Sequence, residues 1–96
     1  MGEKARAIVP TEKGSRYLQQ LCKHWSHKFE VSFDEQQGRV DLIGTELTLK
    51  ATPTTLEVAL DAPDSEALIR MKKVAADHLD RFAFKEAPLP FDWQPA

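Results

Sequence analysis

The sequence has almost no cysteine: Cys22 stands alone among 96 residues, so no intrachain disulfide framework can form. It also lacks long apolar runs. Nowhere do hydrophobic residues approach the roughly 20 in succession that a membrane-spanning helix needs. The opening MGEKARAIVP has neither an apolar signal core nor a small-residue cleavage site, which predicts a cytoplasmic protein that does not enter a membrane. An excess of one charge is missing too. Thirteen basic and fifteen acidic residues give a formal charge of −2 and a pI near 5.9, which argues against nucleic acid or an anionic membrane as the main partner. Glycine is sparse, at four residues, and forms no phosphate-cradling loop; HExxH and GxSxG are also absent.

What remains is globular in character, with 42% hydrophobic and 29% charged residues. Such a chain can build one modest core and has little room for a large cavity beside it. Lys4 to Val9 alternates polar and apolar side chains and stops at Pro10, the pattern of a short strand. Thr11 is then a candidate N-cap for a helix over residues 12–28. Along that helix Leu18, Leu21, Cys22, Trp25 and Phe29 form one apolar stripe, and Gly14 lets the backbone approach the sheet.

Four segments of period two follow, centred on Val31, Val40–Leu42, Leu47–Ala51 and Leu56–Leu60, with turn residues between them. Asp64 is a candidate N-cap for a second helix whose apolar arc is Leu68, Met71, Ala75, Leu79 and Phe82. The expected fold is therefore a two-layer α+β domain over residues 1–96, in the order β-α-β-β-β-β-α, with both helices on one face of an antiparallel five-stranded sheet. Residues 87–96 should be an extended tail docked on it, because Leu89, Phe91 and Trp93 are too costly to leave in water at roughly 1.5–3 kcal/mol each.

Cys22, His24 and His27 invite a metal reading, but at 100° per residue Cys22 points into the core while His24 lies about 160° away. Three ligands cannot converge from those directions, so no metal is assigned. Burial by pattern also removes Cys22 as a nucleophile, and no catalytic residue is assigned. Tyr17, His24 and Lys28 share the flank of the first helix; His78 and Arg81 border the apolar arc of the second. Helices packed side by side would join these edges into a small polar pocket, making Tyr17, His24, His78 and Arg81 the candidate ligand-binding residues. The plainer alternative is that His78 bonds a backbone carbonyl. For nucleic acid, the open sheet face (Ile8, Ser32, Ile43, Thr48 and Ala59) offers no aromatic platform for base stacking.

The segment S-R-Y-L-Q-Q-L-C-K-H-W-S-H-K from Ser15 to Lys28 resembles a bacterial family, domain of unknown function 2218. So does D-H-L-D-R-F-A-F-K-E from Asp77 to Glu86, followed by F-D-W at Phe91 to Trp93. In that family the domain occurs alone or appended to siderophore-interacting proteins, flavin-dependent reductases that release iron from ferric siderophores. The resemblance thus implies a siderophore-interacting reductase, or another protein, as partner. The flavin and nicotinamide sites of those reductases lie in their other domain, so no cofactor is expected here. The combined reading is a non-enzymatic binding or accessory module in iron acquisition, monomeric or weakly dimeric. Two alternatives stand beside it: a small metal- or ligand-binding enzyme using His24 and His78, and a dimeric structural protein.

Overall fold

The computed structural model describes residues 2–96. Its elements run β1 (Glu3–Pro10), α1 (Gly14–Trp25), β2 (Val31–Phe33), β3 (Gln37–Leu42), β4 (Thr45–Ala51), β5 (Thr55–Ala62), α2 (Ser65–Phe82) and β6 (Gln94–Pro95). The strands form one antiparallel sheet in the order β2-β3-β4-β5-β1-β6. Both helices lie on one face of it, α1 over β2 to β5 and α2 over β4, β5 and β1. The α+β class read from the sequence is the class observed.

Strict alternation explains the layering. In β1, Ala5, Ala7 and Val9 turn inward while Lys4, Arg6 and Ile8 face water. In β4 and β5 the inward set is Leu47, Leu49, Leu56, Val58 and Leu60, all buried against Leu18, Leu21, Cys22 and Trp25 of α1 and Ala75 and Leu79 of α2. The stripe on α1 and the arc on α2 are therefore one continuous core. Among the described residues, no helix is long and apolar enough to cross a membrane.

The structure departs from the sequence reading at α1, which starts at Gly14 and ends at Trp25. Thr11 does not cap it. Lys13 occupies the cap position without a side-chain bond, and the Thr11 hydroxyl instead accepts the Lys13 N–H at 3.1 Å in a local turn. The Thr11 N–H is held by the Thr54 carbonyl at 3.0 Å, which keeps Pro10 and Thr11 beside β5 and delays the helix. Gly14 then meets the sheet as expected: a Cβ there would sit 2.9 Å from the Thr55 carbonyl oxygen. Asp64 does cap α2, its Oδ1 accepting the Ala67 N–H at 2.8 Å.

The sheet has six strands where the sequence indicated five. The tail contributes the extra one, pairing Arg6 with Gln94 and Ala5 with Pro95 on the far side of β1. Without it β1 would leave its edge groups to water. Upstream, Leu89 is 5% exposed and its N–H is accepted by Asp80 Oδ1 at 2.9 Å. Phe91 and Trp93 stack with centroids 5.7 Å apart and pack against the core.

Candidate functional site

A cleft opens where the last turn of α1 and the middle turns of α2 meet the β3–β4 turn. Its walls are His24, Trp25, Lys28 and Phe29 from α1 and its exit, Leu42 and Ile43 from the turn, and Met71, Val74 and His78 from α2, around about 230 Å³. Helical spacing places the α2 residues: Met71, Val74 and His78 stand at i, i+3 and i+7, on one face. On α1, Trp25 belongs to the core stripe and is 3% exposed, whereas His24, one residue earlier, is turned towards α2.

The aromatic rings cluster tightly. His78 lies 4.9 Å from Trp25 and 5.7 Å from His24, centroid to centroid, and His24 meets Phe82 edge-on at 5.8 Å. Phe29 meets Trp25 edge-on at 6.1 Å. His78 Nδ1 is 2.8 Å from the Val74 carbonyl oxygen, which can only accept, so Nδ1 carries the proton. In the neutral ring Nε2 then keeps its lone pair. The backbone-carbonyl bond that the plainer reading assigned to His78 thus exists, and it orients the ring while leaving its other nitrogen free. Desolvation of this exposed ring against its aromatic neighbours, followed by the positive charges of His78, Arg81, Lys28 and His27, holds His24 below the ordinary imidazole pKa.

The four residues singled out from the sequence divide. His24 and His78 come together, while Arg81 is exposed outside the cleft wall and acts on His24 through its charge. Tyr17 does not join them. It shares the flank of His24 but lies seven residues away, about 10 Å along the axis. Its side chain is 3% exposed, and its hydroxyl donates to the Glu86 carboxylate, which also accepts from the Thr11 hydroxyl at 3.0 Å. Burial, the hydrogen bond and the Glu86 charge push the Tyr17 pKa up to about 12. Tyr17 thus fastens the chain after α2 to the start of α1.

Ile43 is another correction. The alternation placed it on the open sheet face, but it sits in the β3–β4 turn on the lip of the cleft. Its φ of 51° is left-handed and its side chain is 85% exposed. That backbone costs a non-glycine residue roughly 1–2 kcal/mol, and two-residue turns of this kind favour Asn, Asp or Gly. Of the walls, the sequence reading assigned only His24 and His78 to the site; it placed Trp25, Phe29, Leu42 and Met71 in the core, Lys28 on the flank and Ile43 on the open sheet face, and gave Val74 no role. Only the exposed Ile beside Gly44 carried a local signal.

Cys22 is fully buried, and burial pushes its thiol up to about 11, which leaves it protonated and unreactive at neutral pH. It faces Gly38, where a Cβ would come within 2.7 Å of Sγ. His27 is exposed, so the three side chains of C-K-H-W-S-H do not converge. Among the described residues no three His, Cys, Asp or Glu side chains group around a metal position. A larger hollow, about 650 Å³, lies on the open sheet face around Ser32, Arg39, Asp41 and Glu46. It has no aromatic wall, and Arg39 there is already paired with Glu46 at 2.6 Å.

Fold and cleft together define a small two-layer α+β domain with a ring-lined recess where the end of α1 meets the middle of α2. The chain belongs to the family described as uncharacterized protein conserved in bacteria, domain of unknown function 2218, whose pattern matches residues 6–94. It is similar to the NMR structure of PA4090 from Pseudomonas aeruginosa, at 39% identity over 98% of this chain and 97% of that one, with a TM-score of 0.83. No curated protein matches it.

Proposed function

We propose that this domain is a non-enzymatic binding module that holds its ligand in the cleft between His24 and His78. The observation that carries this reading is the convergence of the two imidazoles, 5.7 Å apart, over Trp25 in a recess whose other walls are apolar except for Lys28. A few polar groups converging on an apolar cleft are the usual make-up of a ligand site. Binding is favoured over catalysis because no wall residue carries a hydroxyl, a thiol or a carboxylate for either imidazole to activate or be oriented by. A siderophore-interacting reductase remains the proposed partner, on family resemblance, and co-purification from iron-starved cells tests that link separately.

The cleft reading is tested by screening a fragment collection against labelled protein by NMR. Binders should move the Trp25 indole, Met71 methyl and His24 and His78 ring signals together. His24→Gln and His78→Gln should lose those responses with the melting temperature nearly unchanged. Binders that cluster on the open sheet face instead, or histidine variants that unfold early, would refute the reading.

A further inference from the structure

We infer that the ligand of this cleft is a small organic anion with a flat apolar body, a carboxylate on one or two aromatic rings. The inference rests on the cleft being the ligand site and adds the class of molecule. Shape gives the first argument. The rings of Trp25, His78 and His24 line the cleft together with the apolar side chains of Leu42, Val74 and Met71, which suits a planar apolar body. The volume of about 230 Å³ is below the usual range for drug-sized ligands. At about 30 Å³ per water it holds about eight waters, so a monocyclic or bicyclic molecule fills it.

Charge gives the second argument. No Asp or Glu is among the wall residues, and Lys28 is. The ion pairs among the described residues are Arg39–Glu46, Glu66–Arg70 and Lys73–Asp77, so neither Lys28 nor the nearby Arg81 is neutralised by a carboxylate. The end of α1 would normally repel an anion through its free carbonyls. Here the Cys22 carbonyl accepts from Ser26 N–H, the Lys23 carbonyl from the Ser26 hydroxyl, and the Trp25 carbonyl from Lys28 and Phe29 N–H. The positive charges of Arg81 and Lys28 are also felt at the His24 ring, where they add to desolvation in lowering its pKa. A cationic ligand would meet that field as repulsion, and a neutral one would gain nothing from Lys28.

The lip gives the third. Ile43 and Gly44 close the hairpin with the positive φ values a two-residue turn demands, but Asn, Asp or Gly would take that backbone at less cost, and the almost fully exposed apolar side chain does nothing for the fold. A ring lodged beneath it would bury that side chain. Strain held at such a position is typical of ligand clamps.

The experiment titrates the full chain with three probes of one shape: 2-naphthoate, 2-naphthamide and 2-naphthylmethylammonium, read by NMR at Trp25, Met71, His24 and His78. Naphthoate should bind at these residues about tenfold or more tighter than the amide, with the ammonium weakest. Lys28→Gln should bring naphthoate down to the affinity of the amide and leave the amide unchanged, a charge-selective loss that misfolding cannot imitate. Ile43→Asn, which relaxes the turn, should weaken naphthoate and amide alike without lowering the melting temperature. If the amide or the ammonium binds there as tightly as naphthoate, or Lys28→Gln has no effect, the anion inference falls and the cleft reading stands. If no probe moves those signals, both fall.

Discussion

Replacing Leu89 with Ala asks whether the C-terminal segment is part of the folded unit. Leu89 is 5% exposed, belongs to the main core cluster, and is held by its N–H bond to Asp80 at 2.9 Å. Truncating a buried Leu to Ala costs about 2–5 kcal/mol, the spread reflecting how far the surroundings can collapse into the space. The neighbouring Phe91 and Trp93 are only half-buried and can shift, so the lower half of that range, about 2–3 kcal/mol, is expected here. For a domain near 100 residues each kcal/mol moves the melting temperature by about 4–8 °C, so a fall of roughly 10–20 °C follows. Urea unfolding should show a lower midpoint with an unchanged slope, because the surface exposed on unfolding barely changes. Pro90, exposed beside it, is the control, and Pro90→Ala should stay within about 0.5 kcal/mol. A Leu89→Ala protein as stable as the parent would refute the docking and free Phe91 and Trp93 for contact with another protein.

Alkaline titration gives another test. Tyr17 and Cys22 are acids whose protonated forms the fold favours, raised from 10.0 to about 12 and from 9.0 to about 11. The unfolded chain ionises first, so stability should fall as pH rises from about 9, by up to about 2–3 kcal/mol for each group, until the folded-state values are passed. Tyr17→Phe should remove the Tyr17 part of that loss and cost about 1–2 kcal/mol at neutral pH through the orphaned Glu86 bond; an unchanged alkaline limb would refute it. Gly38→Ala should destabilise by about 1–3 kcal/mol, since its Cβ would meet Cys22 Sγ at 2.7 Å, and Cys22→Ala should partly rescue it in a double-mutant cycle. Additive effects there would show that the two side chains do not press on each other.

Period and punctuation carried most of the fold. The stripe from Leu18 to Trp25 and the two-residue alternation of β1, β4 and β5 report burial on one face, and burial on one face is what a two-layer domain requires. Where the reading erred, a partner distant in sequence decided the outcome. Thr11 looks like a cap because its type favours caps, yet its hydroxyl serves a turn and a carboxylate 75 residues away. The tail was recognisably extended, but nothing local says that Gln94 lies beside Arg6. Ile43 follows Leu42 in a pattern that alternates cleanly; apart from the neighbouring Gly44 nothing local marks the end of the strand, which the left-handed backbone at Ile43 shows.

The candidate site was half legible for the same reason. Helical angles give direction around an axis and say nothing about what crosses in front of it. Tyr17 and His24 project along nearly the same direction from α1, so the sequence joined them. What separates them is where α2 and its continuation meet α1: the last turns of the helices meet beside His24, while the chain after α2 brings Glu86 to Tyr17. The polar group that a buried Tyr needs is thus supplied by Glu86, just before the tail, and the pocket is left without the phenol. Removing Tyr17 from the pocket changes its chemistry. A phenol among the walls would have offered a donor and a general acid, whereas two imidazoles, one indole and an unpaired lysine offer stacking and a cation. That difference weighs against the small-enzyme alternative and for the holding site that the sequence reading places first.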